Sequence, residues 1–106
     1  MSDCIFCNVI SGALPSKPVY QDEEVLVIAD INPQAPVHLL VIPKKHVAEF
    51  VEAEDELVTK MIATVKKIIA DQRIVNYRIV SNGKGTAVID HLHMHVLGSV
   101  DKYRKL

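Results

Sequence analysis

Three histidines occupy alternate positions near the end of the chain, at His91, His93 and His95. Side chains alternate across a β-strand, so a strand here places all three imidazoles on one face. The other face is then apolar, because Leu92 and Met94 separate the histidines. Val, Ile and Thr suit a strand better than three imidazoles do, so an incidental, solvated histidine face is the weaker alternative. Neutral imidazole binds metals and also acts as acid, base or nucleophile, and the spacing predicts one of these two kinds of chemistry.

Two further histidines and two cysteines are candidates for the same region. His38 lies in an apolar stretch and His46 follows the end of it, so each can reach the histidine strand if the two strands are neighbours. Cys4 and Cys7 form a Cys-x-x-Cys pair. In a cytosolic chain this spacing is more typical of metal ligands or a redox pair than of a structural disulfide. Metal binding and catalysis both remain open at this point.

Length and composition limit the possible functions. The chain has 106 residues, 49% of them hydrophobic, and this size predicts one domain over residues 1–106. Its 12 basic and 13 acidic residues are mixed along the chain, which argues against binding of polymeric nucleic acid. No apolar run approaches the ~18 residues that cross a bilayer, and the N-terminus lacks the features of a signal peptide. We therefore expect a cytoplasmic protein with no membrane partner, whose nucleotide ligand, if it has one, is small.

The elements that position the histidines follow from the apolar pattern. Apolar residues at spacings of three and four predict a long helix over residues 54–71. The prolines of residues 32–36 disfavour helix and direct the chain from one strand to the next. The order of strands, helix and strands predicts an antiparallel α+β domain. The predicted strands are residues 19–21, 24–29, 37–42, 76–81 and 91–97.

The histidine strand resembles the signature of the histidine-triad (HIT) family. That signature alternates histidine with apolar residues and ends on two apolar residues, and residues 91–97 meet it at every position. Residues 5–7, 29–36 and 38–46 also resemble histidine-triad nucleotide-binding proteins of the purine nucleoside phosphoramidase branch. The resemblance extends over almost the whole chain. It implies an α+β fold with an antiparallel sheet of about five strands, one long helix and a short N-terminal helix, assembled as a homodimer.

The resemblance also implies a reaction. A hydrolase or nucleotidyl transferase of this kind cleaves a nucleoside phosphoramidate of the AMP type through a covalent nucleotidyl-histidine. By position, His93 is the nucleophile and His95 is a phosphate contact. His38 is expected to orient the His93 ring by hydrogen bonding. The chemistry is reasonable, because a neutral imidazole nitrogen can attack phosphorus and so split one displacement into two easier steps.

Several residues resemble those that bind the purine nucleotide in this family. Asp30 corresponds to the carboxylate that accepts hydrogen bonds from the ribose, although a turn residue at the end of a strand is the alternative. Asn82 corresponds to an asparagine beside the phosphate, although Asn before Gly also suits a turn. The apolar candidates for the base pocket serve equally well as core residues. They are Phe6, Val9, Leu14, Ile28 and Ile31.

A structural zinc is implied by the same resemblance. Some family members, and the related galactose-1-phosphate uridylyltransferases, hold zinc with residues that correspond to Cys4, Cys7, His46 and His91. Two thiolates and two imidazoles form a closed tetrahedral set, which suits a structural rather than a catalytic ion. A Cys-x-x-Cys redox pair would leave His46 unexplained and lacks a thioredoxin-like βαβ pattern around it. Two ordinary buried cysteines are the remaining alternative.

One segment departs from the family pattern. Family members usually have Gly-Gln followed by Ser or Thr before the triad, in a longer loop, where this chain has Thr86-Ala87-Val88. The missing amide and hydroxyl normally contact the phosphate and the leaving group, so we expect slow turnover or an altered leaving-group preference. Two alternative functions are therefore kept. One is hydrolysis of dinucleoside polyphosphates, and the other is a weakly active nucleotide-binding adaptor or sensor.

Overall fold

The computed structural model describes residues 2–106, which form a five-stranded antiparallel sheet with two α-helices and a short 3-10 helix. The strands follow the order β1-β2-β3-β5-β4 across the sheet, so β3 and β5 are neighbours at its centre. The predicted α+β fold, with five antiparallel strands, one long helix and a short N-terminal helix, is confirmed. The elements are α1 (Ile5–Ser11), β1 (Pro18–Gln21), β2 (Val25–Ala29), β3 (Val37–Pro43), the 3-10 helix (Phe50–Glu52), α2 (Asp55–Asp71), β4 (Arg78–Val80) and β5 (Met94–Gly98).

The main hydrophobic core lies between α2 and one face of the sheet. Met61, Val65 and Ile68 recur at helical spacing on the buried side of α2, as the apolar pattern predicts. Burial of each such side chain contributes about 1.5–3 kcal/mol. Within residues 2–106, no helix is both long and apolar enough to cross a membrane. Leu92 joins this core from the segment before β5, and the sheet residues in it are Val25, Val27, Leu39, Val41, Met94 and Val96.

The other face of the sheet carries the histidines and is covered by α1. Phe6 of this helix packs with Leu40 and Ile42 in a second buried cluster. His91 is fully buried on this side and His93 is only 8% exposed. The apolar side of the triad therefore lies in the core, as expected, and the alternative of a solvated histidine face is wrong.

The last two strands begin and end at residues that differ from the predicted ones. The strand predicted to begin at residue 91 begins at Met94, because the carbonyl of Pro43 on β3 accepts a hydrogen bond from the His91 ring instead of from a strand amide. The Leu92 amide donates to the Val47 carbonyl, outside the sheet. The strand predicted over residues 76–81 covers only Arg78–Val80, and the positive φ of Asn76 interrupts extended backbone before it. The other predicted elements are confirmed to within one residue at each end.

Candidate active site and metal centre

A cavity of about 770 Å³ opens beside the histidine face of the sheet. Its walls come from α1, the end of β2, the proline-rich connector after β2 and the loop before the triad. The connector supplies Asn32 and Gln34, and the loop supplies Val88 and Ile89. Every residue that the sequence suggests for nucleotide binding lies in these walls, which places the polar and apolar candidates around one space. They are Phe6, Val9, Leu14, Ile28, Asp30, Ile31, Asn82, His93 and His95, with His38 beside them.

His93 is held with one ring nitrogen available for reaction. Its Nδ1 lies 2.7 Å from the backbone carbonyl oxygen of His91. A carbonyl oxygen only accepts, so Nδ1 carries a proton and donates it, and in the neutral ring Nε2 is the nitrogen with the lone pair. The ring of Phe6 packs edge-on against the imidazole, with 5.0 Å between ring centroids. The hydrogen bond thus sets the tautomer of the neutral ring, and the packing restricts its orientation.

His38 and His95 form a chain of hydrogen bonds that begins at the backbone. The Gln34 amide donates to His38 Nδ1 at 3.0 Å. Because an amide N–H only donates, Nδ1 accepts, and the neutral His38 ring carries its proton on Nε2. That nitrogen lies 2.8 Å from His95 Nδ1 and donates to it, while Asp30 Oδ2 lies 3.3 Å away. His95 consequently carries its own proton on Nε2, the nitrogen that lies 3.4 Å from the Asn82 amide nitrogen.

The structure corrects the contact expected of His38. The sequence interpretation has His38 bonded to the nucleophile His93, but its ring bonds to His95 instead. The reason is the register of the two central strands, in which Leu40 pairs with His95 and His38 pairs with Leu97. His38 and His95 thus lie diagonally next to each other on one face. Orientation of His93 comes from the His91 carbonyl.

Burial favours the neutral form of His38 and of His95. It is the largest influence on His38 and lowers its pKa, an effect that Asp30 opposes and Arg104 reinforces. Burial likewise lowers the pKa of His95, where nearby His93 and His38 act in the same direction. Near neutral pH both rings are therefore neutral. The hydrogen bonds of His38 and His95 described above require neutral rings, and the lowered pKa values agree with this.

A second cluster gathers the four predicted zinc ligands. One ligand atom from each of Cys4, Cys7, His46 and His91 lies within 4.8 Å of all the others. His91 Nδ1 lies 3.3 Å from Cys4 Sγ, 3.5 Å from Cys7 Sγ and 3.2 Å from His46 Nδ1. A tetrahedral zinc with ordinary bond lengths sets sulfur to nitrogen edges of about 3.6 Å and nitrogen to nitrogen edges of about 3.3 Å. The four residues therefore fit a tetrahedral ion of this size.

The groups around this cluster also suit a metal. His91 Nε2 donates to the Pro43 carbonyl at 2.7 Å, which leaves the lone pair on the nitrogen that faces the thiols. Burial lowers the pKa of His91, which keeps this ring neutral. A hydrogen bond with the Cys4 side chain raises the pKa of the Cys7 thiol, and burial and the charge of Cys4 act in the same direction. A divalent cation supplies the charge that allows both to ionise.

Asp30, His38 and His95 form another group whose ligand atoms lie within 4.8 Å. A metal-binding histidine normally donates its second ring N–H to an acceptor. His38 does the opposite, because its second nitrogen accepts from the Gln34 amide, so its Nε2 holds a proton rather than a lone pair. The hydrogen bonds of this group consequently direct protons into the space where an ion would lie, whereas the cysteine cluster offers lone pairs to a metal.

Comparison with known proteins agrees with the arrangement of the site. The model of the HIT domain matches residues 11–102. The chain belongs to the HIT family. It is 40% identical over 99 residues to an uncharacterized HIT-like protein of Methanocaldococcus jannaschii, an alignment that covers 89% of this chain and 77% of the relative.

Two solved structures extend the family likeness to the fold. A HIT family hydrolase from Clostridium thermocellum superposes with a TM-score of 0.90 at 37% identity, covering 100% of this chain and 98% of the other. A HIT family hydrolase from Legionella pneumophila Philadelphia 1 gives a TM-score of 0.86 at 36% identity, covering 93% and 95%. The likeness thus includes the elements that position the histidines.

Some features of this HIT domain could not be found from sequence. The Gln34 amide sets the proton positions of two histidines, yet any residue except proline supplies the same backbone group. The Arg104 side chain donates to the Gln34 carbonyl from far along the chain. Val88 and Ile89 line the cavity; the sequence interpretation named Val88 only as part of the segment that departs from the family pattern, and it did not name Ile89.

Proposed function

We propose that this protein is a hydrolase that cleaves a nucleoside phosphoramidate of the AMP type through a nucleotidyl-His93 intermediate. The observation that carries the proposal is the pair of opposite ring states in one cavity. His93 presents a free Nε2 lone pair, and His95 presents a proton on Nε2. Cleavage of a phosphorus to nitrogen bond uses both a nucleophile and a hydrogen-bond donor that stabilises charge on the phosphoryl oxygens.

The two half-reactions balance with these groups and the solvent. In the first, His93 Nε2 attacks phosphorus, the P–N bond breaks, and the leaving nitrogen takes a proton from the solvent, while the Nε2–H of His95 donates a hydrogen bond to a phosphoryl oxygen. The His38 N–H donates to His95 Nδ1 and so keeps the His95 proton on Nε2. In the second, water attacks phosphorus and releases a proton to the solvent, and the bond from phosphorus to His93 breaks, which restores the lone pair of Nε2. The products are the nucleoside monophosphate and the free amine.

The remaining walls suit the nucleoside. The Asp30 carboxylate is partly buried and accepts from the Asn32 amide at 2.8 Å, so the turn role and the proposed ribose-binding role coexist in one residue. Phe6, Ile28 and Ile31 offer apolar surface for a purine base. The amide of Asn82 and the Nε2–H of His95 are neighbouring donors, which suits a shared phosphate oxygen.

The charge of the cavity lining favours a substrate with one phosphate over one with a polyphosphate chain. Among the described residues that line the cavity, Lys17 is the only cation, so little compensates the several negative charges of a polyphosphate chain. Hydrolysis of dinucleoside polyphosphates is therefore the weaker enzymatic candidate. The adaptor or sensor alternative has one specific support, since Val88 is 98% exposed and offers no polar group to the substrate.

We further propose that the cluster of Cys4, Cys7, His46 and His91 binds a structural zinc. The fit of its ligand distances and the bond from His91 to Pro43 support this ion. When bound, zinc supplies a cross-link between α1 and the sheet and takes no part in the bond-breaking steps. The homodimer and the cytoplasmic location stay predictions. Analytical ultracentrifugation that finds only monomer contradicts the dimer.

Turnover measurements test the proposed function. Purified protein should hydrolyse adenosine phosphoramidate faster than diadenosine triphosphate, and His93→Ala should abolish both activities. Calorimetry should detect AMP binding that Asp30→Asn weakens. Binding of AMP with no turnover of either substrate would favour the adaptor or sensor. No binding at all would reject both proposals.

A further inference from the structure

We propose that His91 is a positioning residue that makes the reactivity of His93 depend on the metal centre. The inference rests on the proposed function, because it takes His93 as the nucleophile and the cysteine cluster as a zinc site. The proposed link between the zinc site and His93 is a set of packing and hydrogen-bond contacts. The metal holds the first turn of α1 and the backbone at His91, and both of these hold the His93 ring.

The main link passes through a single fully buried residue. His91 Nδ1 faces the cysteine cluster, and its Nε2 donates to the Pro43 carbonyl at 2.7 Å. Its own carbonyl accepts the Nδ1 proton of His93, also at 2.7 Å. The ligand and the acceptor that sets the proton position of the nucleophile thus belong to one residue. A shift of the backbone at His91 moves both the ring and the carbonyl.

A second link passes through α1. Phe6 lies between Cys4 and Cys7 in sequence, so the turn that carries the two thiols also carries this ring. The ring packs edge-on against both His91, with 5.9 Å between centroids, and His93, with 5.0 Å. It is 4% exposed, so movement of the turn is transmitted to the imidazoles. The Cys4 Sγ accepts from the Cys7 amide, which makes the thiol part of the helix cap as well.

Loss of the zinc ion removes the coordination bonds that hold the four ligand side chains of the cysteine cluster together. The lone pair of His91 Nδ1 then has another imidazole nitrogen 3.2 Å away and no cation between them. The cluster relaxes, and the acceptor for the His93 Nδ1 proton loses its fixed position. A share of His93 then carries its proton on Nε2, the form that has no lone pair for attack. Catalysis falls more than substrate binding, because Asp30 and Ile31 lie in the segment after β2 and belong to neither α1 nor the backbone at His91.

His46→Ala provides the sharpest test, because the residue is exposed and its removal costs little packing. Metal analysis should show zinc lost from the variant, and circular dichroism should show the fold retained. Nitrogen-15 correlation spectra of the histidine rings should show the His93 proton on Nδ1 in the zinc-loaded wild type and shared between both nitrogens in His46→Ala. We expect kcat to fall on the order of 10-fold, with a smaller change in KM. Removal of zinc from the wild type with a chelator should give the same shift and uses no substitution.

Val65→Ala serves as the matched control. It creates a cavity in the core on the opposite face of the sheet, so it lowers stability without touching either link. Its His93 ring should stay in the Nδ1–H form. The inference is overturned if zinc leaves and the His93 tautomer does not change, or if Val65→Ala shifts it equally. A shift in tautomer in a protein without turnover would support this link and reject the proposed function, so the two failures are distinguishable.

Discussion

Two clusters of ionisable side chains lie on the same face of the sheet, and each is held by a backbone group of opposite kind. In the cysteine cluster of Cys4, Cys7, His46 and His91, the His91 ring donates to the carbonyl of Pro43, so its other nitrogen is available as a ligand. In the relay cluster of Asp30, His38 and His95, the His38 ring accepts from the amide of Gln34, so its other nitrogen is a donor. The same residue type thus offers a lone pair in one place and a proton for hydrogen bonding in the other. The backbone partner decides which.

His93 lies between these clusters and contacts both. Its bond to the His91 carbonyl places its proton on Nδ1, and the ring of His95 packs beside it. We therefore expect different effects from changes on the two sides. Changes on the relay side should reduce turnover and leave the metal in place. Changes on the cysteine side should remove the metal first.

The largest effect is expected on the relay side. His95→Ala removes the hydrogen-bond donor to the phosphoryl oxygen, and kcat for adenosine phosphoramidate should fall by about 10²–10³-fold. Zinc content should stay at the wild-type value, because no ligand is changed. Steady-state kinetics and metal analysis of the same preparation measure both quantities. Loss of zinc from this variant would show that the two clusters are not separate.

The next effect concerns the cysteine side. Cys7→Ser should lose zinc and the stability that zinc confers, which is about 2.7 kcal/mol when free zinc exceeds its dissociation constant 100-fold. Urea unfolding with and without a chelator measures it, and the variant should be insensitive to the chelator. His38→Ala is the control that should keep its zinc. Unchanged zinc content in Cys7→Ser would contradict the assigned ligand set.

A smaller effect is expected from pH. The pKa of His38 and that of His95 are lowered in the folded protein, so the unfolded chain binds more protons as the solution is acidified. Their contribution to the free energy of unfolding is complete above the unfolded pKa of about 6.5 and is lost as pH falls through the folded values.

The slope of stability against pH isolates this contribution. Urea unfolding between pH 7 and pH 5 should show a smaller loss for the His38→Gln, His95→Gln double variant than for the wild type. Zinc should be kept saturating in both, so that any release of metal in acid is shared. Equal losses would show that the two rings are not held neutral by the fold.

The smallest effect tests the unusual segment before the triad. Val88→Ser introduces a hydroxyl at the cavity wall, and one added hydrogen bond to the substrate is worth about 1 kcal/mol, or roughly 5-fold in kcat/KM. Val51→Ser, on a valine that is likewise exposed but lies in the 3-10 helix, is the control and should change nothing. A decrease with Val88→Ser would indicate that the substrate contacts the apolar side chain itself.

Sequence predicted the frame of the site better than its internal connections. The period of α2 and the alternation from Leu92 to Val96 are local patterns, and each ended in the predicted core. The four cysteine-cluster residues also came together as the resemblance implies. The predicted partner of His38 was wrong because the register between two strands cannot be read from the sequence of either strand alone. The role of the Gln34 amide has no side-chain signal at all.

A mass measurement on His93 tests the central claim most directly. The protein is mixed with adenosine phosphoramidate, quenched on a millisecond scale under conditions that preserve P–N bonds, and digested for mass spectrometry. We expect an adenylyl group on the peptide that contains His93, and we expect no such group in His93→Ala. Turnover in the wild type with the group on another residue, or with no covalent adduct at any quench time, would contradict it.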